Sequence, residues 1–358
     1  MTTTREPDSP RRTGPGTPLS RRAAPAVGLF VLAPLVGEFL LGNLRIDQLF
    51  VLPLFAPLYG GGALLIRETV RRTGRGWPAI VLLAAAYALL EEGPIDRLLW
   101  NPSYSGQVTL AGDAYLPALG TNVSILQAVL SLHTIWSISV PIALVESFVP
   151  HRRTAAWLGR TGLMVTGALF AFGVGIAYWA KQMESPFRAT PGQYAGAVVV
   201  IVALVVAAFT LAHRPRPVDR MAPGPWLVGV LILVLTSLLL VLVMFWPARL
   251  SQWVSVAAWC VVAAALIVLL ARWSRSRGWG DPHRLGVAAG ALLTYVWVAF
   301  PHRPGGVGPG TRTDVLDLVG NTVFALFAVA LIMLAARVVH RTGEPGHRCP
   351  PRADAGRP

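Results

Sequence analysis

The chain has 358 residues, of which 54% are hydrophobic and only 13% charged, about half the charge of a soluble globular domain, and its mean hydropathy is +0.56. Its net charge of +14 would suggest nucleic-acid binding in a soluble protein, but the Arg residues sit in short clusters between apolar runs, which excludes that class. The two cysteines, Cys260 in an apolar run and Cys349 near the end, form no C-x-x-C pair, so neither a disulfide framework nor a zinc knuckle is indicated.

Residues 1–23 read as a disordered basic tail rich in Pro, Gly, Ser and Thr. Ser20-Arg21-Arg22 precedes an apolar run without a small-residue cleavage site, so these arginines are read as holding the N-terminus inside. Ten apolar segments follow, near 24–43, 48–66, 77–93, 121–149, 156–180, 194–213, 224–247, 251–271, 285–301 and 315–338. A spanning helix needs about 20 such residues. The expected fold class is therefore all-α: a polytopic transmembrane bundle of about ten spans, four in residues 24–150 and six in 151–340, then a disordered tail over 341–358. Pro141 is expected to kink the fourth span.

The loops orient the bundle. With ten spans and an inner N-terminus, the outer segments hold only Arg45, Arg97, Lys181, Arg188, Arg249, Arg303 and Arg312. The rest of the 31 Lys and Arg fall on the inner side at every alternate loop, as the positive-inside rule requires. Both termini are then cytoplasmic. Lys181 is the sole lysine, and the Ala-, Gly-, Arg- and Pro-rich composition suggests a GC-rich bacterial genome, hence a bacterial cytoplasmic membrane. The longest connection, 94–120, lies outside. Its Trp100 and Tyr104 are expected at headgroup level, or the loop folds back as a lid. The glycine-rich stretch Gly305–Gly310 lacks the Lys-Ser/Thr of a phosphate loop and reads as a flexible turn.

Ionisable residues at membrane depth are costly and mark candidate sites. Glu38, Glu91, Glu92 and His133 all fall in the outer half of the membrane. At about 100° per residue, Asn122, His133 and Ser137 form one polar stripe, and Tyr87 shares a face with Glu91. Glu92 is rotated by about 100° from Glu91, so the two carboxylates meet different partners unless Gly93-Pro94 unwinds the helix. Asn101, Tyr104 and Asn122 would line the mouth. At the inner ends of two spans, Arg67, Glu68 and Glu146 are expected to form a structural ion pair. Gly60-Gly61-Gly62 allows close backbone approach, and Gly286-x-x-x-Gly290 suits helix packing.

A carboxylate at this depth is protonated, paired or bound to a cation. Three readings fit: a scaffold whose polar groups only hold helices together, a carrier whose site takes a proton, a cation or a small polar solute, and a metal site. The metal reading would use Glu91, Glu92 and His133 to hold a divalent ion and a hydrolytic water, the one case that implies a cofactor.

Two resemblances bear on these alternatives. Gly37-Glu38, Tyr59-Gly60, Arg67-Glu68, Gly76-Trp77, Glu91-Glu92-Gly93, Asn101-Pro102, Asn122, His133, Pro141-Ile142 and Pro150 together resemble an uncharacterised family of bacterial multi-pass membrane proteins over residues about 37–150. That resemblance implies a membrane protein with a shared polar site and no particular reaction. Glu91-Glu92, Arg97 and His133 are also similar to the intramembrane CAAX-protease and bacteriocin-processing family, which would imply a peptidase. This chain departs from that pattern: Arg97 stands one residue late, Val129 replaces a Phe, Ser137 replaces an Asn or Asp, and a further membrane His is missing. The expected function is thus permease-like, with an intramembrane metallopeptidase and a non-catalytic scaffold as alternatives.

Overall fold

In a hydrocarbon layer every backbone polar group must be satisfied within the chain, so an apolar sequence of this length folds into helices. The computed structural model describes residues 19–104, 107–108, 110–211, 218–302 and 315–343. The segments 1–18, 303–314 and 344–358, with most of the two expected tails and the Gly305–Gly310 turn, lie outside the described residues. The elements are α1 (Leu19–Pro34), α2 (Leu52–Arg72), α3 (Trp77–Leu90), α4 (Val123–Ser131), α5 (Val140–Phe148), α6 (Arg160–Glu184), α7 (Pro191–Thr210), α8 (Pro225–Met244), α9 (Gln252–Trp273), α10 (Asp281–Val298) and α11 (Val315–Gly343). Many start as their sequences direct. Pro occupies the first turn of α2, α3, α7, α8 and α10, where a missing N–H costs nothing. Thr190 with Gln193 makes a capping box on α7, and Ser251 caps α9.

Three π-helical turns interrupt the N-terminal helices, at Leu35–Phe39, Glu91–Ile95 and Leu132–Ser139. Each contains a proline or lies within two residues of one: Pro34, Pro94 and Pro141. A helix-interior proline removes one i→i−4 bond and crowds the carbonyl behind it, which favours a widened turn. The fourth span is thus α4, a π turn and α5 in one rod, and the expected kink is realised as that turn.

Among the described residues ten helical rods are present, one for each apolar segment of the sequence. Eight are long and apolar enough to cross a membrane. Ala23–Phe39 is a shorter apolar rod, and α10 opens on the polar run Asp281-Pro282-His283-Arg284.

The Trp77–Ile95 rod is the centre of the bundle, 67% buried, whereas α6, α7 and α9 are 11% buried. The exposed faces of these outer helices carry Met164, Phe172, Val199, Val202, Val261 and Ile267, a surface suited to lipid. α1 packs on α2, α2 on α6, α3 on α7, and α8 on α10. Two of these contacts depend on glycine. Pro34 cannot donate to the Phe30 carbonyl, and that oxygen rests against Gly60, where a Cβ would collide with it. Gly290 likewise meets the Gly229 carbonyl of α8, and Gly286 meets Pro225.

The long loop after α3 folds back over the bundle. It makes two antiparallel strand pairs, β1 (Ser103–Tyr104) with β2 (Gln107–Val108) and β3 (Tyr115–Leu116) with β4 (Thr121–Asn122). A third, parallel pair joins β5 (Val218–Met221) to β6 (Ser276–Arg277). Asp113 latches the loop to the start of α9: it accepts from Ser251 Oγ at 2.5 Å and from the Gln252 N–H at 2.8 Å. The Ser251 hydroxyl, then the Gln252 amide, hold the Asp113 carboxyl below the usual carboxylate range. The latch is therefore intact at neutral pH and is lost only as acidification passes below about 3.9. Trp100, expected at headgroup level, is instead buried and packs edge-on against Tyr194 at 5.8 Å.

Two measurements check this fold. Gly60→Ala should destabilise the detergent-solubilised protein by about 1–3 kcal/mol, read as a lowered thermal midpoint, because α1 and α2 must separate. In a Cys-free background, Leu119→Cys should react with an impermeant maleimide from outside intact cells, and Ala156→Cys only after permeabilisation; the reverse pattern would invert the topology. Both side chains are exposed.

Candidate functional site

The three π turns carry the site. Glu38 lies in the first, Glu91 and Glu92 in the second, His133 and Ser137 in the third. A widened turn redirects side chains, and such turns often occur at functional positions. Here the second turn sets Glu91 and Glu92 on either side of one imidazole. Glu91 Oε2 lies 3.0 Å from His133 Nδ1, and Glu92 Oε1 lies 2.6 Å from His133 Nε2. The two carboxylates were expected to meet different partners unless the helix unwound; the widened turn lets them share one. Ser137 Oγ also reaches Nδ1, at 3.1 Å.

Two tyrosines wall this clamp. The Tyr59 ring lies 5.9 Å from the His133 ring, and Tyr87 6.5 Å from it. Tyr59 donates its hydroxyl to Glu38 Oε1, and Asn43 Nδ2 donates to Glu38 Oε2 at 3.3 Å. Gly37 and Gly62 leave room for this packing: a Cβ at Gly37 would lie 2.9 Å from Ser137 Oγ, and one at Gly62 would lie 2.6 Å from the Tyr87 ring.

The site is buried and electrostatically incomplete. Glu91 is 3% exposed, Glu92 6% and His133 7%, so bulk water does not screen them. One imidazole faces three carboxylates, and no Arg or Lys bonds to them among the described residues. Glu91 Oε2 is engaged by His133 Nδ1, whereas Glu92 Oε2 is buried with no hydrogen-bond partner. A buried, unsatisfied oxygen atom of this kind favours uptake of a proton, a cation or water.

The remaining candidates lie elsewhere. Asn122 is not on a helix face with His133. It is the extended N-cap of α4, accepts from the Ser124 N–H at 2.9 Å, and donates to Ala111 O at 3.0 Å and Gln252 Oε1 at 2.9 Å. The stripe fails because regular helix begins only at Val123 and widens at Leu132. Asn101 accepts from the Ser103 N–H at 3.1 Å, and Tyr104 donates to Asp96 at 2.6 Å. These three residues shape the loop after α3, and among the described residues their hydrogen bonds go to that loop and its neighbours. Arg97, the peptidase-like arginine, adopts a left-handed backbone (φ 61°) and donates to the carbonyls of Lys181 and Phe187, which ties α3 to the end of α6.

At the far end of α2, Arg67 Nη1 lies 2.5 Å from Glu68 Oε1, and Arg67 Nε lies 3.2 Å from Glu146 Oε1. Arg71 grips Glu146 with two nitrogens, at 2.8 and 2.6 Å. The Arg67 guanidinium stacks on Trp157 at 3.4 Å, and Glu68 accepts the N–H groups of Trp157 and Leu158. Every charge here has an opposite or hydrogen-bonding partner.

Tyr59, Tyr87, Ser137 and Asn43 were not among the chosen site residues. Tyr87 and Ser137 each carried a signal, an i,i+4 spacing to Glu91 and His133 respectively. Tyr59, which entered only through the family-like pattern, reaches Glu38 by the packing of α2 on the first rod, and Asn43 reaches it locally, five residues on.

The donors do not form a shared metal site. His133 turns one ring nitrogen to each carboxylate, so a metal on either nitrogen would meet one Glu and leave the other behind the ring. Among the described residues no three His, Cys, Asp or Glu converge on a metal position.

With this geometry in place, comparison with known proteins gives the class. A family model described as an uncharacterized membrane protein family matches residues 28–343. The chain belongs to that family and is a multi-pass membrane protein. A search of curated proteins and a search of solved structures each found no match.

The Arg67 network generates a stability prediction. Glu146→Gln leaves Arg67 and Arg71 short of their shared acceptor and should cost about 3–5 kcal/mol, read as a lower thermal midpoint. An unchanged midpoint would remove the network from the structural role given to it.

Proposed function

We propose that the protein is a permease-like carrier of the bacterial cytoplasmic membrane, with ten spans and both termini inside, whose outer-half site binds a proton or small cation coupled to a small polar solute. The observation that carries this reading is the His133 clamp: one imidazole between two buried carboxylates, with an acceptor oxygen of Glu92 left over. Such a cluster balances its charge by gaining or losing a cation, and a bound cation alters how tightly the surrounding π turns pack. Glu38 supports the reading as a third carboxylate within the same wall of tyrosines. Asn101, Tyr104 and Asn122 then serve the outer mouth through the loop they hold. The fully paired Arg67, Glu68 and Glu146 network favours a static inner anchor.

The test is flux in vesicles. Purified protein reconstituted with an enclosed pH dye should pass protons faster than empty vesicles when a pH or cation gradient is applied. Glu91→Gln, Glu92→Gln and His133→Gln should each lower that flux about tenfold or more. Wild-type flux equal to empty vesicles, with variants that only lose thermal stability, would support the scaffold instead. Stoichiometric divalent metal in the purified protein, lost in His133→Ala, would support the hydrolase.

A further inference from the structure

A second polar group leads from the clamp toward the outer surface. Asp96 follows the Glu91–Ile95 turn directly, and its N–H closes that turn on Glu91 O at 2.7 Å. That turn bears Glu92, whose carboxylate is the strongest charge acting on Asp96. Glu92 Oε1 is taken by His133, whereas Glu92 Oε2 is buried and unpartnered. Asp96 Oδ2 accepts from Tyr104 Oη at 2.6 Å and lies 3.9 Å from Lys181 Nζ. Lys181 sits over the Tyr104 ring at 4.3 Å and reaches Glu184 at 2.9 Å, where the Glu184 side chain is 43% exposed. The charged and titratable groups facing Asp96 are thus Glu91 and Glu92 from the turn, Tyr104 from the loop, and Lys181 and Glu184 from α6. Its neighbour Arg97 is turned onto backbone carbonyls. Burial first, then the Glu92 charge, push the Asp96 carboxyl up to about 7, against the pull of Lys181. A group with that value exchanges protons readily near neutral pH.

The geometry points to Asp96 as the proton relay between the His133 clamp and the outer surface, with Lys181 and Glu184 at its solvent side. This inference rests on the clamp being a proton site. In the inward step the O–H bond of protonated Asp96 breaks and one forms on Glu92 Oε2. Asp96 is left as a carboxylate, held by the Tyr104 hydroxyl and the Lys181 ammonium. Water at the outer surface then returns a proton to Asp96, and no other reactant is needed. A purely structural Asp96, pinning the loop through Tyr104, would predict no change in proton exchange when its hydrogen bond is kept.

The experiment is a pH jump on the detergent-solubilised full chain, followed by infrared spectroscopy of the carboxyl band that Glu92→Gln removes. Asp96→Asn keeps an oxygen for Tyr104 but cannot carry a proton. It should slow the response of that band about tenfold or more, and azide, a small weak acid, should restore the rate. Asp96→Glu should keep a near-normal rate. Lys181→Gln, a second variant on a partly exposed residue, should also slow the response. A wild-type rate in Asp96→Asn, or slowing that azide does not relieve, overturns the relay and leaves the clamp. A Glu92 band that never responds to pH overturns both. A relay seen in the infrared, with vesicle flux no greater than in empty vesicles, overturns the carrier and leaves the relay.

Discussion

An imidazole held between two carboxylates inside a bundle that belongs in hydrocarbon constrains most of what surrounds it. Away from water, charges cannot be diluted by solvent, so each must find a partner within a few ångströms. The ring nitrogens of His133 face apart, and Glu91 and Glu92 are consecutive residues. They reach both nitrogens because the helix around them is widened at Pro94. The His133 helix is widened at the same level, and the Glu38 helix as well. The apolar walls follow from the same need. Tyr59 and Tyr87 close around the ring, and Gly37 and Gly62 are small where those rings and Ser137 must fit.

The two polar centres of the N-terminal helices solve the problem of buried charge in opposite ways. At one end of the bundle, Arg67 and Arg71 share Glu146, Arg67 also meets Glu68, and Trp157 covers the guanidinium. That network is closed, and its interactions hold the segment after α5 against α2. At the clamp, carboxylates outnumber cationic partners among the described residues, and Glu92 Oε2 remains unsatisfied. A closed network resists change, while an open one responds to what binds. α2 joins the two, since Tyr59 and Arg67 lie on it about 12 Å apart along the axis. Any shift of α2 as Glu38 and Tyr59 repack is therefore resisted at its Arg67 end.

The C-terminal helices act mainly as enclosure. Their exposed faces are largely apolar, and several of their polar contacts with the first half lie at helix ends. Gln252 and Ser251 at the head of α9 hold the loop after α3 through Asp113 and Asn122. Trp136, fully buried beside the His133 turn, stacks on Tyr295 of α10 at 4.5 Å and donates to Ala291 O at 2.7 Å. The second half thus braces the widened helix that bears the histidine.

The sequence by itself determined the membrane class, the ten apolar rods and the residues able to carry charge at depth. Hydropathy over 20 residues depends only on local composition, and so does the alternation of arginine between loops. It also marked Glu91-Glu92-Gly93-Pro94 as a place where a helix would be broken. Tertiary structure alone decided that the break is a π turn, that both carboxylates meet His133, and that Tyr59 belongs to Glu38. It also removed Asn122 from the expected stripe, because the helical periodicity assumed from 122 to 137 is interrupted twice. The physical reason is the range of the interactions: backbone preference acts over four or five residues, whereas Glu92 meets His133 across 41 positions of chain, through the packing of whole helices.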